Sequence, residues 1–496
     1  MGRYIIKIPQ VALARCVACR VAALPLRALC SCEPAPGMSS GSESQRAAIL
    51  QRQHTGFEQR SHQHMPPSDP LFKFGTLYEG PMVAPTMTWE SSQKPREDHD
   101  ASDWLTATEF LDTPEVLALK MATLAQLLKL SKRTVVYSGA GISASVVGQA
   151  ALSGTNKVGW TGLKSEATPT PTHRALAALG RSRWVHGWVQ QNHDGLPQKA
   201  GYPQENICEV HGSWFDPANP VVKYSGSLKG PECNWMEREA EEADLVLVLG
   251  TSLGGLNADQ VASNCAERAA RGLSLGSVII NLQQTDQDGK MSLNIFAKTD
   301  DALALLLPQL GLDPAAPPVL WPDRPCVLVP YDKKGNRLAP ESTAPRMWLD
   351  LRPGAAVQLS ALHNHQGAQQ PTTLHIGAKS QRKDKSGKPV GRPPGTGRGT
   401  VVRRDDASCS YLLNIEHASL RLGLWWLESA ERGGPTHLPL VNVSPVFEGD
   451  EAAAAIEAFL ATSGVEASKR NRAGAGSCSR GQPQKVGAKP PRARGK

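Results

Sequence analysis

The sequence predicts an α/β fold: a doubly wound parallel sheet followed by a small β-rich domain, with disordered N- and C-terminal segments. Three observations lead there. Nearly continuous apolar runs at residues 244–249 (Asp-Leu-Val-Leu-Val-Leu) and 277–281 (Ser-Val-Ile-Ile-Asn) suit strands buried on both faces. Stretches with helical spacing alternate with them, as in residues 114–130, where Leu117, Met121, Leu124 and Leu128 recur. After residue 318 the texture changes to short apolar stretches separated by Gly, Pro and Asn turns, the pattern of an all-β unit.

At 496 residues the chain suits two or three domains. Residues 1–99 read as a disordered N-terminal arm. Its first 32 residues carry Arg3, Lys7, Arg15, Arg20 and Arg27 and no acid. Arg15 and Arg20 interrupt the apolar run, so it cannot span a bilayer. A targeting segment for a mitochondrion or plastid and an irregular extension both remain open, as does a nuclear destination. Residues 33–99, rich in Ser, Gln, His and Pro, lack periodicity and read as a linker.

Residues 100–312 hold the α/β domain. A helix over 114–130 starts at Pro114, a residue suited to a first turn. A strand at 134–137 ends in a glycine turn that leads into a helix. A helix at 173–179, strands at 182–190, 244–249 and 277–281, and a closing helix at 301–307 complete it. Residues 314–318 form a linker. The β-rich accessory domain covers 318–448 and carries a basic insert at 380–404. Within it Trp425 and Trp426, flanked by Leu424 and Leu427, suit a core.

The net charge of +8 misleads as an average, because residues 469–496 contain nine Lys and Arg and no acid. The body is thus close to neutral, and 449–496 reads as a disordered basic tail, with weak nucleic-acid contact or a nuclear signal as the alternative. Ten cysteines are scattered, with Cys16, Cys19, Cys30 and Cys32 in the arm; this is no secreted disulfide framework and fits an intracellular, reducing compartment. Cys16 and Cys19 have the spacing that opens a zinc site, yet no second pair with His follows.

Chemistry concentrates in a few segments. Gly139, Ala140, Gly141, Ile142, Ser143 and Ala144 satisfy a loose G-x-G-x-x-[GA] pattern behind a strand. Such glycines let backbone approach a pyrophosphate, whose charge is met by N–H groups at a helix start. A hydride-transferring dehydrogenase would add a carboxylate about 20 residues on to hold the ribose; residues 153–162 contain neither a carboxylate nor a strand. Four further segments follow: Gln191, Asn192, His193 and Asp194; then Glu209, Val210, His211 and Gly212; then Gly250, Thr251 and Ser252; then Ile280 and Asn281. All lie at or just beyond the carboxyl ends of predicted strands, where open α/β sheets bind ligands. His173 and His193 read as structural.

In this order, over about 200 residues, these segments resemble the sirtuin family, the NAD-dependent protein deacylases. The resemblance implies a Rossmann-like sheet of sirtuin type. It also implies NAD as cofactor, held by Gly139, Ala140, Gly141, Ile142, Ser143, Gln191, Asn192, Asp194, Gly250, Thr251, Ser252 and Asn281. His211, Asn192 and Asp194 would be catalytic. Breaking the nicotinamide bond leaves positive charge on the ribose, which Asn192 and Asp194 would stabilise while orienting the nicotinamide amide. An imidazole titrates near neutral pH, so His211 would take a ribose hydroxyl proton and help an acyl oxygen attack. The implied function is a protein lysine deacylase acting on acylated lysine. Protein ADP-ribosylation at the same site and a catalytically weak NAD-binding scaffold are the alternatives.

Two departures from the family stand out. Its four-cysteine zinc module is expected after the histidine motif, but residues 212–220 hold no cysteine, so zinc is not expected. Residues 220–226 look like the substrate-side strand. Residues 145–161 contain no arginine to fix the ribose, and Lys157 is the sole cation there. Finally, residues 388–399 resemble a degenerate AT-hook built on Gly-Arg-Pro, leaving weak nucleic-acid contact and a plain basic loop both open.

Overall fold

A computed structural model describes residues 40–58, 68–92, 94, 105–148, 162–222, 228, 230–254, 256–313, 319, 321–323, 325–360, 362–363, 369–370, 397–416, 418–432 and 438–443. In chain order the first elements are α1 (Ser40–Glu58), α2 (Leu71–Phe74), β1 (Thr86–Trp89), β2 (Glu109–Leu111), α3 (Pro114–Leu130) and β3 (Thr134–Ser138). Next come α4 (Pro171–Arg181), β4 (Gly187–Gln190), α5 (Leu196–Lys199), β5 (Ile207–Glu209), α6 (Gly230–Glu242), β6 (Leu245–Leu249), α7 (Gln260–Ala270), β7 (Gly276–Asn281), β8 (Leu293–Phe296) and α8 (Thr299–Gln309).

The main sheet is six-stranded, in the order β5-β4-β3-β6-β7-β8, and every pairing in it is parallel. Strands β3 and β6 sit at its centre with every residue buried, as their unbroken Val and Leu runs require. Helix α3 begins where Thr113 Oγ1 accepts the Val116 N–H and Pro114 needs no partner for its nitrogen. Residues 182–186, expected in a strand, instead form the turn that closes α4, with Arg183 at φ +59°. The helix expected after the glycine turn is a short 3-10 turn, Ala140–Ser143.

The reading of 33–99 as a disordered linker needs correction where the chain is described. Helix α1 lies across the amino ends of four strands and is tied there by polar groups. Arg46 makes paired bonds to Asp244 (2.6 and 2.7 Å), just ahead of β6, and a third to the Leu130 carbonyl ahead of β3. Gln53 donates to the Leu275 carbonyl (2.8 Å) ahead of β7 and accepts from Ser292 Oγ (2.7 Å) ahead of β8. Seven helical residues rise about 10.5 Å, close to two strand spacings of about 4.8 Å. The helix therefore meets the strand starts in register through polar side chains, which a search for apolar periodicity does not see.

The second unit contains β9 (Cys326–Val329), β10 (Met347–Asp350), β11 (Ala356–Leu359), β12 (Leu362–His363), β13 (Gln369–Gln370), β14 (Arg398–Asp405), β15 (Ser410–Ile415), β16 (Ala418–Gly423), α9 (Trp425–Glu431) and β17 (Leu440–Asn442). Five strands form an antiparallel sheet in the order β16-β15-β14-β11-β17. Trp425 and Trp426 lie in its core, as the sequence implied. Residues 398–404, assigned to a basic insert, are strand β14, where Val401 faces the core and Arg404 pairs with Asp406. The rest of the AT-hook-like stretch, the N-terminal targeting candidate, the 314–318 linker, the 449–496 tail and most of the loop at 145–161 lie outside the described residues. Among the described residues no helix is long and apolar enough to cross a membrane.

The Arg46–Asp244 pair is nearly shielded from solvent, at 11% and 9% side-chain exposure. Removing one partner leaves the other charge uncompensated. Arg46→Ala is expected to lower unfolding stability by about 3 kcal/mol, measured by denaturant titration.

Candidate functional site

Strands β4, β3, β6 and β7 are neighbours in the sheet, so the loops at their carboxyl ends face one another. The glycine turn after β3 is pressed against the loop after β6: Gly139 N–H donates to the Leu249 carbonyl (3.1 Å) and Gly141 N–H to the Gly250 carbonyl (2.8 Å). A Cβ on Gly141 would fall 2.7 Å from Gly250 Cα, and one on Gly139 2.8 Å from Thr251 Cβ. Gly250 itself has φ +56°, where side chains are strained. These glycines thus serve loop-to-loop packing as well as any close approach of a ligand.

Polar side chains stitch the remaining loops to this pair. Gln191 Nε2 donates to Thr251 Oγ1 (3.0 Å), and Asn281 Nδ2 to the Thr251 carbonyl (3.1 Å). Asn192 Nδ2 reaches the Gly139 carbonyl (3.0 Å) and Ser143 Oγ (3.2 Å). Ser143 Oγ in turn donates to Asp194 Oδ2 (2.7 Å), while the Leu196 N–H (3.1 Å) and Gln190 Nε2 (3.4 Å) donate to Asp194 Oδ1. Asp194 is 1% exposed and Ser143 2%, whereas Ala140, Gln191, Asn192, Ser252 and Asn281 are half-buried and Gly141 is exposed. The residues singled out from sequence therefore converge on one sheet edge in two layers. Asp194, Ile142 and Ser143 lie beneath the surface; Gly141, Gln191, Asn192, Ser252 and Asn281 reach it.

His211 follows β5 in the same row of loops. Its Nδ1 lies 3.2 Å from the Gln191 carbonyl. A carbonyl only accepts, so Nδ1 carries the proton and Nε2 keeps its lone pair. Burial holds the imidazole pKa below its ordinary value; the Gln191 carbonyl opposes this and His193 adds to it. His193 supports the arrangement from the other side, with Nδ1 3.0 Å from the Gly212 carbonyl and its ring 6.3 Å from that of His211. Beyond Gly212 (φ +83°) the chain makes a tight excursion, closed by Ser213 N–H on the Asn219 carbonyl (2.8 Å), and returns so that the Val222 N–H donates to the His211 carbonyl (3.0 Å). Residues 223–226 of the expected substrate-side strand lie outside the described residues. Among the described residues no group of three or more His, Cys, Asp or Glu is placed to hold a metal ion.

Several buried groups behind this edge were not among the residues expected to act there. His173, fully buried, has its pKa lowered to about 4 by burial. Its Nδ1 accepts from the Thr170 N–H (3.2 Å), which places the ring proton on Nε2, 3.4 Å from Ser143 Oγ. Glu209 is 3% exposed, with its pKa pushed up to about 8 by burial. Phe215, at the tip of the excursion after Gly212, leaves the α/β domain altogether and lies in the core of the β-rich unit. Its one sequence signal was an aromatic pair, Trp214 and Phe215, in a loop with no periodicity.

Known proteins resemble this part of the chain. No family model matches it. A bovine protein named NAD-dependent protein deacetylase sirtuin-7 is 30% identical over 257 residues, 41% of this chain and 63% of its own. A Drosophila melanogaster protein named NAD-dependent protein deacetylase Sirt6 is 30% identical over 271 residues, 43% of this chain and 83% of its own. The chain belongs to the sirtuin family. It spans about half the length of a plant relative, covering 52% of it. A solved Sir2 enzyme structure is 22% identical and aligns over 39% of this sirtuin and 98% of its own chain, with a TM-score of 0.33.

The buried acid of this sirtuin yields a pH test. Between its ordinary value of 4.5 and about 8, native Glu209 holds a proton that the unfolded chain has released. Stability then falls as pH rises through that window. His173 acts oppositely between about 4 and 6.5, so the difference between wild type and Glu209→Gln isolates the acid. Unfolding free energies are expected to diverge in favour of the variant from pH 5 to 8; parallel curves would refute the buried, protonated carboxyl.

Proposed function

We propose that this sirtuin is an NAD-dependent protein lysine deacylase, a deacetylase in the first instance, which transfers the acyl group to ADP-ribose and releases nicotinamide. The observation that carries the reading is His211, half-buried with its Nδ1 proton fixed on the Gln191 carbonyl, beside the loops that carry Asn192, Thr251 and Asn281. The printed names of its relatives point the same way.

The residues present fit NAD. The sheet edge offers amides and hydroxyls from Gln191, Asn192, Thr251, Ser252 and Asn281, and its carboxylate, Asp194, is buried and bonded. A neutral polar set suits ribose hydroxyls and a carboxamide, and the glycine turn, exposed at Gly141, suits a pyrophosphate. By family resemblance Gly139 to Ser143 would take the pyrophosphate, Gly250 to Ser252 the ribose, Asn281 the adenosine side and Asn192 the nicotinamide side. When bound, NAD supplies the ADP-ribosyl group and the bond to nicotinamide that breaks.

The chain's own groups account for the rest. Asn192 is held in one orientation by two acceptors, Gly139 O and Ser143 Oγ, so it presents a prepaid dipole to the cleft. His211 Nε2 is the lone-pair nitrogen, able to accept a proton from a ribose hydroxyl while the Gln191 carbonyl steadies the imidazolium. The lowered pKa keeps it in its base form at neutral pH. The protein partner is an acylated lysine, with residues 220–222 beside His211 as the place for its backbone.

Incubating the chain with NAD and an acetyl-lysine peptide should release nicotinamide only when peptide is present. His211→Ala is expected to lower that rate about 10³-fold, and the acid limb of the wild-type rate profile should fall below pH 6.5, the ordinary imidazole value. Release without peptide would point to ADP-ribosyl transfer at the same site; NAD binding with no release in any condition would overturn the enzyme reading.

A further inference from the structure

The loops that carry Asn192, Asp194 and His211 are not held by the α/β domain alone. Gly195, next to Asp194, has φ +62°, and a Cβ there would fall 2.7 Å from Phe215 Cδ2 and 3.0 Å from Trp425 Cη2. Two aromatic rings thus press on the backbone at the end of the Gln191–Asp194 segment. Phe215 belongs to the excursion that follows His211, and Trp425 belongs to α9 of the β-rich unit. Their rings meet edge to face at 5.2 Å. The Phe215 carbonyl accepts the Gly423 N–H (3.0 Å), the Trp214 N–H donates to the His193 carbonyl (3.0 Å), and the Lys199 ammonium sits 4.8 Å over the Phe215 ring. Further along α9, Ser429 Oγ donates to Glu205 (3.0 Å) and Arg432 pairs with it (3.3 Å) just ahead of β5.

We propose that Trp425 is a positioning residue for the reaction: through Phe215 and Gly195, the β-rich unit fixes the two loops that hold His211 and Asn192. This rests on the deacylase reading for its activity readout. The physical reason is that these loops have no core of their own. Residues 212–222 form a short excursion whose most buried aromatic ring, Phe215 at 0% exposure, lies in the core of the β-rich unit, with Trp214 partly buried against the same core. Trp425 is 2% exposed, and its indole N–H has no hydrogen-bond acceptor among the described residues. The ring therefore contributes volume and an aromatic face, and phenylalanine can replace much of that. Without the wedge, Phe215 loses its partner and the carbonyls that orient His211 and His193 are freed to shift. Displacements of about 1 Å are enough to cost large factors in turnover.

The test uses the full chain with Trp425→Ala and Trp425→Phe, each checked for a cooperative thermal transition. In Trp425→Ala, kcat for peptide-dependent nicotinamide release should fall at least about tenfold while KM for NAD changes less than about threefold. Trp425→Phe should recover most of the loss. The His211 imidazole resonances, followed by NMR without NAD, should titrate at a higher pH in Trp425→Ala than in wild type, because a loosened loop restores water to the ring. This last readout stands even if wild type shows no turnover, so failure of the deacylase reading and failure of this one remain distinct. Should Trp425→Ala not fold, Trp425→Leu carries the same expectations at smaller amplitude. A folded variant with wild-type kcat and an unmoved His211 titration overturns the proposal.

Discussion

The Asp194 carboxylate is the constraint on which the site is built. A buried carboxylate must be met by donors or it drives its own neutralisation. Here the donors come from three pieces of chain: Ser143 of the glycine turn, Gln190 of β4 and the Leu196 N–H at the start of α5. Satisfying one charge therefore locks three segments together. Ser143 passes the effect outward, because the hydroxyl that donates to Asp194 accepts from Asn192 and lies near the protonated Nε2 of His173. Asn192 is thus aimed by a chain of bonds that begins at a group with almost no contact with solvent. Charge beneath and neutral dipoles above is an arrangement suited to stabilising a cation that forms only during reaction.

The two ends of the main sheet are treated differently, and function follows from the difference. At the amino ends, α1 fills the edge with Arg46 and Gln53; by the last residue of the edge strand β8, α3 carries Lys120, whose ion pair with Asp112 is fully shielded from solvent. Phe74, Tyr78 and Phe296 surround that ammonium at 5.1–5.7 Å. Burial lowers the Lys120 pKa and raises that of Asp112, so each ion depends on the other to stay charged. Among the described residues no helix closes the carboxyl ends; loops end there in half-buried amides. A rigid, sealed floor lets the opposite rim be irregular without loss of the fold.

Much of this was legible in the chain because its signals are local. The Val and Leu runs of β3 and β6 demand burial on both faces, and Pro114 marks the start of α3 within its own sequence. The site segments could be placed along one edge because parallel strands all end on the same side. What stayed hidden depends on contacts distant in sequence. Helix α1 is fixed by Arg46 reaching Asp244, 198 residues away, and its own composition is that of a solvated linker. Strand β5 has three residues, too few for any period to register. The motif alone also could not divide Asn192 from Asp194: both are polar residues in one short turn, and only packing puts one at the surface and one beneath.

Phe215 shows why the two units act as one. Burying a phenylalanine side chain contributes roughly 1.5–3 kcal/mol, and an excursion of about ten residues between His211 and Val222 has too little surface of its own to supply that. The resemblance to sirtuins places a metal-stiffened module after the histidine motif, a local solution to the same shortage of core. In this chain the excursion turns outward, contributes its ring to the core around Val327, Leu413 and Trp425, and returns to bond the His211 carbonyl. The β-rich unit thereby gains a core residue, and the histidine loop gains a wall it could not build. An exchange of this kind makes the accessory unit part of the active-site frame, since neither side can move away without exposing an aromatic that the other needs.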